Sequence, residues 1–303
     1  MNTQTTARPL PATIPEYLAQ LRQALAGADP AMIQDALYDA EEYLRAEMAE
    51  QAGRSEAEVI ADVAGSYGAP EEVAEIYRET EVTVSRALRP PLPPKRRSWL
   101  GRFFGVAADP RTYGALFYLL LAVATGTFYF SWVVTGTALS LGLLVLIIGV
   151  PLLVLFLGSV RVLSLVEGRI VEVLLGVRMP RRPTYVGRGQ GWLARIGAMF
   201  SDGRTWTTML YFLLMLPLGI AYCVIFTTLL GLSLGFLLAP LGLFVPYAFQ
   251  FDFAGLDLTS QAPWVLPILS LVGVVMLFAT LHLARGIGHL HGLIAKHLLV
   301  RSD

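Results

Sequence analysis

The sequence predicts an all-α, polytopic membrane protein. Four spans form a tandem two-span repeat with one re-entrant or interfacial segment, and a cytoplasmic helical bundle precedes them. Three observations carry this. First, 55% of the 303 residues are hydrophobic and only 15% charged, against about a quarter charged in ordinary soluble domains. Second, the chain repeats itself: residues 99–149 align without a gap on 192–242, with 18 identities in 51 positions. Third, a net charge of zero hides two unlike parts. Residues 1–80 hold fifteen acids and five bases, whereas residues 81–303 hold eight acids and eighteen bases.

The N-terminal part reads as short amphipathic helices with clear punctuation. Residues 1–14 form a polar, Pro-broken tail without the apolar core of a signal peptide. A first helix presents Tyr17, Leu18, Leu21 and Leu25 and stops at Gly27. Asp29-Pro30, a cap followed by proline at the first helical position, opens a longer one. Ser55-x-x-Glu58 is a capping box for the third, and Pro70-Glu71-Glu72 starts the fourth after Gly68. Residues 15–88 thus form an acidic four-helix module. Residues 89–98 are a Pro-rich, basic linker, with Lys95-Arg96-Arg97 at the membrane edge.

Three pieces of the module, Tyr17-Leu18-x-x-Leu21 with Leu25, Asp39-x-Glu41-Glu42-Tyr43-Leu44, and Gly65 to Ala74 with its glycine-bounded turn before Pro70-Glu71-Glu72, resemble HAAS, a small cytoplasmic helical module of bacterial membrane sensors. The resemblance implies a transducer that touches other proteins and carries no chemistry of its own. On the residues themselves, Asp39, Glu42 and Glu47 could form a partner-docking face; the plainer account is a solvated helix face.

The membrane half divides into repeat 1, residues 99–191, and repeat 2, residues 192–303. Trp99 to Val106 suits the interface. Asp109-Pro110 caps a helix, and spans are expected at 113–135 and 138–160 around a tight turn at Gly136-Thr137. The segment 161–204, with eight arginines and three acids, is expected on the cytoplasmic side. Its first part, Val162 to Val177 with Glu167, Arg169 and Glu172, reads as a helix lying along the membrane. Repeat 2 supplies spans at 206–228 and 264–284. Between them, 230–249, broken by Pro240, Gly242 and Pro246, reads as re-entrant or interfacial, and 250–263 as an outer loop without Lys or Arg. Arg161, Gly168, Ile170 and Leu174-Leu175 match Arg285, Gly292, Ile294 and Leu298-Leu299 at an offset of 124. The copies are therefore parallel, related by an axis along the membrane normal.

Asp109-Pro110-Arg111-Thr112-Tyr113 with its echo Asp202-Gly203-Arg204-Thr205-Trp206, Pro217 to Tyr222, Leu139-Ser140-Leu141-Gly142 and the Leu-Leu-Gly ending at Gly176 resemble the bacterial "putative sensor" transmembrane domain. In that family the domain precedes signalling modules, often histidine kinases. Here no kinase follows, so the resemblance implies output through a separate partner.

Small polar positions repeat in the spans: Tyr129, Thr135 and Ser140, then Tyr222, Thr228 and Ser233. They are candidates for an outward-facing ligand pocket, against interhelical hydrogen bonds worth roughly 0.6 kcal/mol each. Ala138/Gly142 and Gly231/Gly235 are spaced for close helix packing. Asp252 and Asp257 are too few for a calcium site. Of the four histidines, His282, His289, His291 and His297, none has zinc-ligand spacing; a pH-sensing role is set against a polar helix at the membrane edge. Apart from His282 near the end of the last one, no Asp, Glu, Lys, Arg or His falls within an expected span, which disfavours ion-coupled transport and intramembrane hydrolysis. The lone Cys223 excludes an intramolecular disulfide.

No catalytic residue, metal or cofactor is expected. The resemblances imply a non-enzymatic sensor in the bacterial inner membrane, with both termini cytoplasmic, relaying a membrane or envelope signal to a cytoplasmic protein. By family context that partner is a PadR-like transcriptional regulator. A homo-oligomer is compatible, direct nucleic-acid binding is not expected, and the alternative is an accessory subunit of a membrane transporter.

Overall fold

The computed structural model describes residues 11–51, 53–88, 98–144, 149–180, 197, 201–245, 252–253 and 256–300. The tail up to residue 10, the linker at 89–97 and most of the arginine-rich stretch after residue 180 lie outside the described residues.

The N-terminal module comprises α1 Ile14–Ala24, α2 Pro30–Glu50, α3 Glu56–Ser66 and α4 Pro70–Leu88. Thr13 and Asp29 cap α1 and α2 through their side chains, and the Ser55/Glu58 capping box is formed in both directions. Tyr17, Leu21, Leu25, Leu44 and Ile60 are fully buried and make one core with Val73 and Ala74. The Tyr17 hydroxyl donates to Gly68 O over 2.7 Å, closing the core beneath a glycine whose φ of +114° few other residues would adopt.

After the short helix α5 Trp99–Phe104 come α6 Pro110–Gly142, α7 Gly149–Leu175, α8 Gly203–Leu237, α9 Leu258–Gln261 and α10 Val265–Leu299. Four of these, α6, α7, α8 and α10, are long and apolar enough to cross a membrane. This is an all-α, multi-pass membrane protein; among the described residues its only sheet is the two-residue ladder of Asp252–Phe253 with Leu256–Asp257. Large apolar side chains such as Phe117, Phe128, Leu139, Leu210, Val224 and Leu271 stand exposed on the four long helices, where lipid is their solvent.

The helices differ from their expected limits in an informative way. No turn occurs at Gly136-Thr137: α6 runs through to Gly142, since nothing there breaks the backbone ladder and lipid penalises an early break. Residues 230–237 are not re-entrant but the last two turns of α8, and Ala239–Leu243 is a 3₁₀ turn where Pro240 ends the regular helix. Val162 to Leu175 does not lie along the membrane as a separate helix; it completes α7. Likewise α10 extends fifteen residues beyond 284 to Leu299. Helices of 33 to 35 residues are roughly 50 Å long at 1.5 Å per residue, well beyond the hydrocarbon thickness. Apolar windows of minimal length therefore underestimated them.

α6 and α8, the first helix of each copy, cross at the centre and form the axis of the bundle. A Cβ on Gly126 would sit 2.5 Å from Met215 O, and one on Gly219 would sit 2.3 Å from Ala122 O. Both the glycines and the carbonyls they face are repeat equivalents, so the crossing obeys the internal twofold. Gly142, Gly231 and Gly235, expected to allow close packing, have nothing within 4 Å of a built Cβ. The small residues that matter lie nearer the bundle centre.

Two ion pairs cross between the copies. Asp109 and Asp202 each cap their own helix through the backbone N–H of Arg111 and Arg204. Each also receives an arginine from the other copy: Arg161 reaches Asp202 at 3.0 Å, and Arg285 reaches Asp109 at 3.1 Å.

Candidate functional site

At the heart of the bundle six polar side chains meet, one repeat-related pair from each class of position. Tyr118 and Tyr129 come from α6, Tyr211 and Tyr222 from α8, Glu167 from α7 and His291 from α10. The tyrosines share a face because eleven residues make three helical turns. Glu167 lies on the inward stripe of α7 with Ser164, Gly168 and Val171, at the i, i+3, i+4, i+7 spacing of a buried face. Gly288, Gly292 and Ala295 leave room around His291 for α10 to approach its neighbours.

The geometry is tight. Glu167 Oε1 accepts from Tyr118 at 2.6 Å and from Tyr211 at 3.0 Å, while Oε2 accepts from Tyr129 at 3.0 Å. His291 Nε2 lies 2.8 Å from the Tyr118 hydroxyl and 3.1 Å from that of Tyr211; its Nδ1 lies 3.2 Å from the Tyr222 hydroxyl. Glu167 and His291 are fully buried. Each ring nitrogen and each carboxylate oxygen thus has a partner, the condition under which a buried polar network is tolerated. Phe212, stacked on Tyr129, and Met215 seal one side. Beyond the network the core is apolar, with Val133, Phe156, Leu157 and Phe226.

The centre lies nearer the end of the bundle that meets the N-terminal module. Glu167 is eight residues from the end of α7, and His291 is eight from the end of α10, so each sits roughly 12 Å in. At that end the first turns of α2 dock on the membrane half. Lys296 on α10 pairs with Asp29, the cap of α2, at 2.5 Å. Arg204 donates to Gln34 at 2.7 Å, and Arg178, just beyond α7, lies 3.7 Å from Asp35. Between these contacts Ala31 is fully buried within the same apolar cluster as the membrane helices.

Of the residues proposed from sequence for a ligand pocket, only Tyr129 and Tyr222 belong to this centre. Thr135 and Thr228 are exposed on the outside of α6 and α8. Ser140 and Ser233 are buried farther along, Ser233 donating to Leu230 O at 3.0 Å and Ser140 Oγ having no partner among the described residues. The six do not line one pocket. In the module, Asp39 accepts from the Tyr77 hydroxyl at 2.9 Å and Glu47 accepts from Gln51, while Glu42 is half-buried. Burial, then the Asp39 carboxylate, pushes the Tyr77 phenol up from its ordinary value. The expectation that, His282 apart, no such ionisable residue lies within a span is corrected by Glu167 and His291. The missed signal was the 124-residue offset, which sets Glu167 on His291 in register with Gly168 on Gly292.

Comparison with protein families matches residues 118–299 to the family described as Putative sensor and residues 16–76 to HAAS. No curated protein and no solved structure matches the chain. The first match covers more than half of the chain and takes in every member of the buried centre, and the second covers most of the docked module. This chain belongs to the Putative sensor family, with a HAAS module fused before its membrane domain.

Proposed function

We propose that the protein is a non-enzymatic membrane signal transducer, in which the state of the buried centre governs how the membrane half holds the N-terminal module. One observation carries this reading: α10 bears both His291 in the centre and Lys296 at the dock, five residues apart on one continuous helix. A shift or rotation of α10 that accommodates a change at His291 moves Lys296 against Asp29. The two families supply the sensing and signalling context.

The module faces the cytoplasm in this reading, supported by the excess of bases over acids in residues 81–303 and by the positive-inside rule. The membrane is the bacterial inner membrane. Output passes to a cytoplasmic protein, and a PadR-like transcriptional regulator fits the setting. With Asp39 engaged by Tyr77, the surface offered to that partner centres on Glu42 and Glu47.

The test places a photo-crosslinker at Glu42 in cells and identifies the products, alongside transcript and solute-flux measurements on a deletion strain. A regulator crosslinked to the module, with altered transcripts and unchanged flux, is the expected result. A transporter subunit at the crosslink together with lost flux overturns the proposal.

A further inference from the structure

The hydrogen-bond distances in the buried centre restrict where its protons sit. A 2.6 Å contact between Tyr118 and Glu167 requires a proton between the two oxygens. With Glu167 ionised, that proton is the one Tyr118 carries, and those of Tyr211 and Tyr129 go to the same carboxylate. The 2.8 Å contact of Tyr118 with His291 must then be supplied from the ring, so Nε2 carries hydrogen. That leaves Nδ1 as an acceptor for Tyr222, which has no competing contact in the cluster. The Nε2 hydrogen is shared between Tyr118 and Tyr211, the 3.3 Å approach of those two hydroxyls carries no proton because both donate to Glu167, and the buried group carries one negative charge.

One change adds a proton without breaking this network. If Nδ1 is protonated, it donates to Tyr222 and the phenol rotates to accept; no other bond reverses. The buried charge goes from −1 to zero. We propose that the centre is a one-proton site located at His291 Nδ1, with Tyr222 as the group that turns, and that proton occupancy is the input the membrane half reads.

The surroundings fit a site filled from the module side. The groups facing His291 are Tyr118 and Tyr129 on α6, Glu167 on α7, and Tyr211 and Tyr222 on α8. Farther out are the Arg161–Asp202 and Arg285–Asp109 pairs, and on α10 itself Lys296 is held by Asp29. A small crevice between α7 and α8 is lined by Arg161, Ser164, Asp202, Arg204, Thr205 and Thr208. Ser164 and Thr208 stand one turn before Glu167 and Tyr211. The apolar core beyond the network closes the other side.

The proton site stands on the bond count with Glu167 ionised; its role as input rests on the transducer reading. The full chain, reconstituted in lipid nanodiscs with ¹⁵N-labelled histidine, separates the two. The His291 resonance is assigned by its loss in His291→Gln. Near neutral pH it shows the neutral Nε2–H tautomer, and on acidification it becomes imidazolium. In Glu167→Gln the imidazolium signal is lost over the same titration, because no buried charge remains for it to neutralise. A His291 resonance that keeps one form throughout, that starts as the Nδ1–H tautomer, or that titrates identically in Glu167→Gln overturns the proposal. A spin-label distance between module and membrane half is recorded in the same samples. Titration without a distance change keeps the proton site and removes its signalling role; a distance change that persists in His291→Gln keeps transduction and removes the proton as its input.

Discussion

Glu167 and His291 occupy the same place in the two copies, 124 positions apart, and are joined through the hydroxyls of Tyr118 and Tyr211, which are themselves equivalent. The backbone keeps the internal symmetry and the chemistry breaks it, placing an acid in one copy opposite a base in the other. Duplication supplied a matched pair of buried positions, and divergence at them made a polar centre that neither copy holds alone.

The crossing of α6 and α8 depends on the absence of a side chain at two places. Gly126→Leu and Gly219→Leu force the helices apart, since even a Cβ would lie within 2.5 Å of a carbonyl oxygen. Each is expected to destabilise the membrane half by about 1–3 kcal/mol, or to prevent its assembly. Gly142→Ala and Gly235→Ala meet no neighbour and serve as neutral controls. Thermal unfolding of the full chain in detergent distinguishes the two groups.

Asp109 performs two tasks that substitutions can separate. Asp109→Asn retains a side-chain oxygen for the Arg111 N–H but loses the charge that Arg285 meets, an expected loss below about 1 kcal/mol because that arginine is half exposed. Asp109→Ala also loses the cap, costing about 1 kcal/mol more. The same thermal assay should rank the wild type above Asn and Asn above Ala.

Module docking should respond to charge reversal at one pair. Lys296→Glu sets two acids against each other at the start of α2 and is expected to open the docked face of α2 to limited proteolysis. Adding Asp29→Lys restores the opposite charges and should recover protection in part, because it also removes the cap of α2. Undiminished protection in Lys296→Glu alone would mean that Ala31 and the Arg204–Gln34 contact hold the module by themselves.

Alkaline conditions should act on the module through its buried phenols, Tyr77 among them. The Tyr77 phenol is held above its ordinary value by burial and by the Asp39 carboxylate. A raised value in the folded state means that its contribution is complete below the unfolded value of about 10 and is lost as pH rises through the folded one. Stability is therefore expected to fall above about pH 10. Tyr77→Phe lowers the starting stability by about 1 kcal/mol and flattens that fall. Circular dichroism of the full chain across pH checks the slope.

Much of the architecture was legible in the residues. Asp29-Pro30, Ser55-x-x-Glu58 and Pro70 announce helix starts found in the module. The repeat anticipates four crossing helices, and it brings Tyr129 and Tyr222 into consideration. The centre itself was obscured by a sound rule applied to the wrong boundaries. Spans of about twenty residues stop at Arg161 and Arg285, leaving Glu167 and His291 in what reads as surface helix. The helices continue past those arginines, which pair with the caps of the opposite copy. Tyr118 and Tyr211 were visible as repeat identities, but their role depends on two partners from other helices.

The exchanged ion pairs bear on how the chain comes together. Arg161 serves the second copy and Arg285 serves the first, so neither half closes its own helix start. During synthesis Asp109 enters long before its arginine exists, and the last helix to insert is the latch that completes the earliest one. Two separate single-copy chains arranged about the same axis would trade these contacts reciprocally. The membrane half is thus a dimer made continuous, and its final helix decides when it is finished.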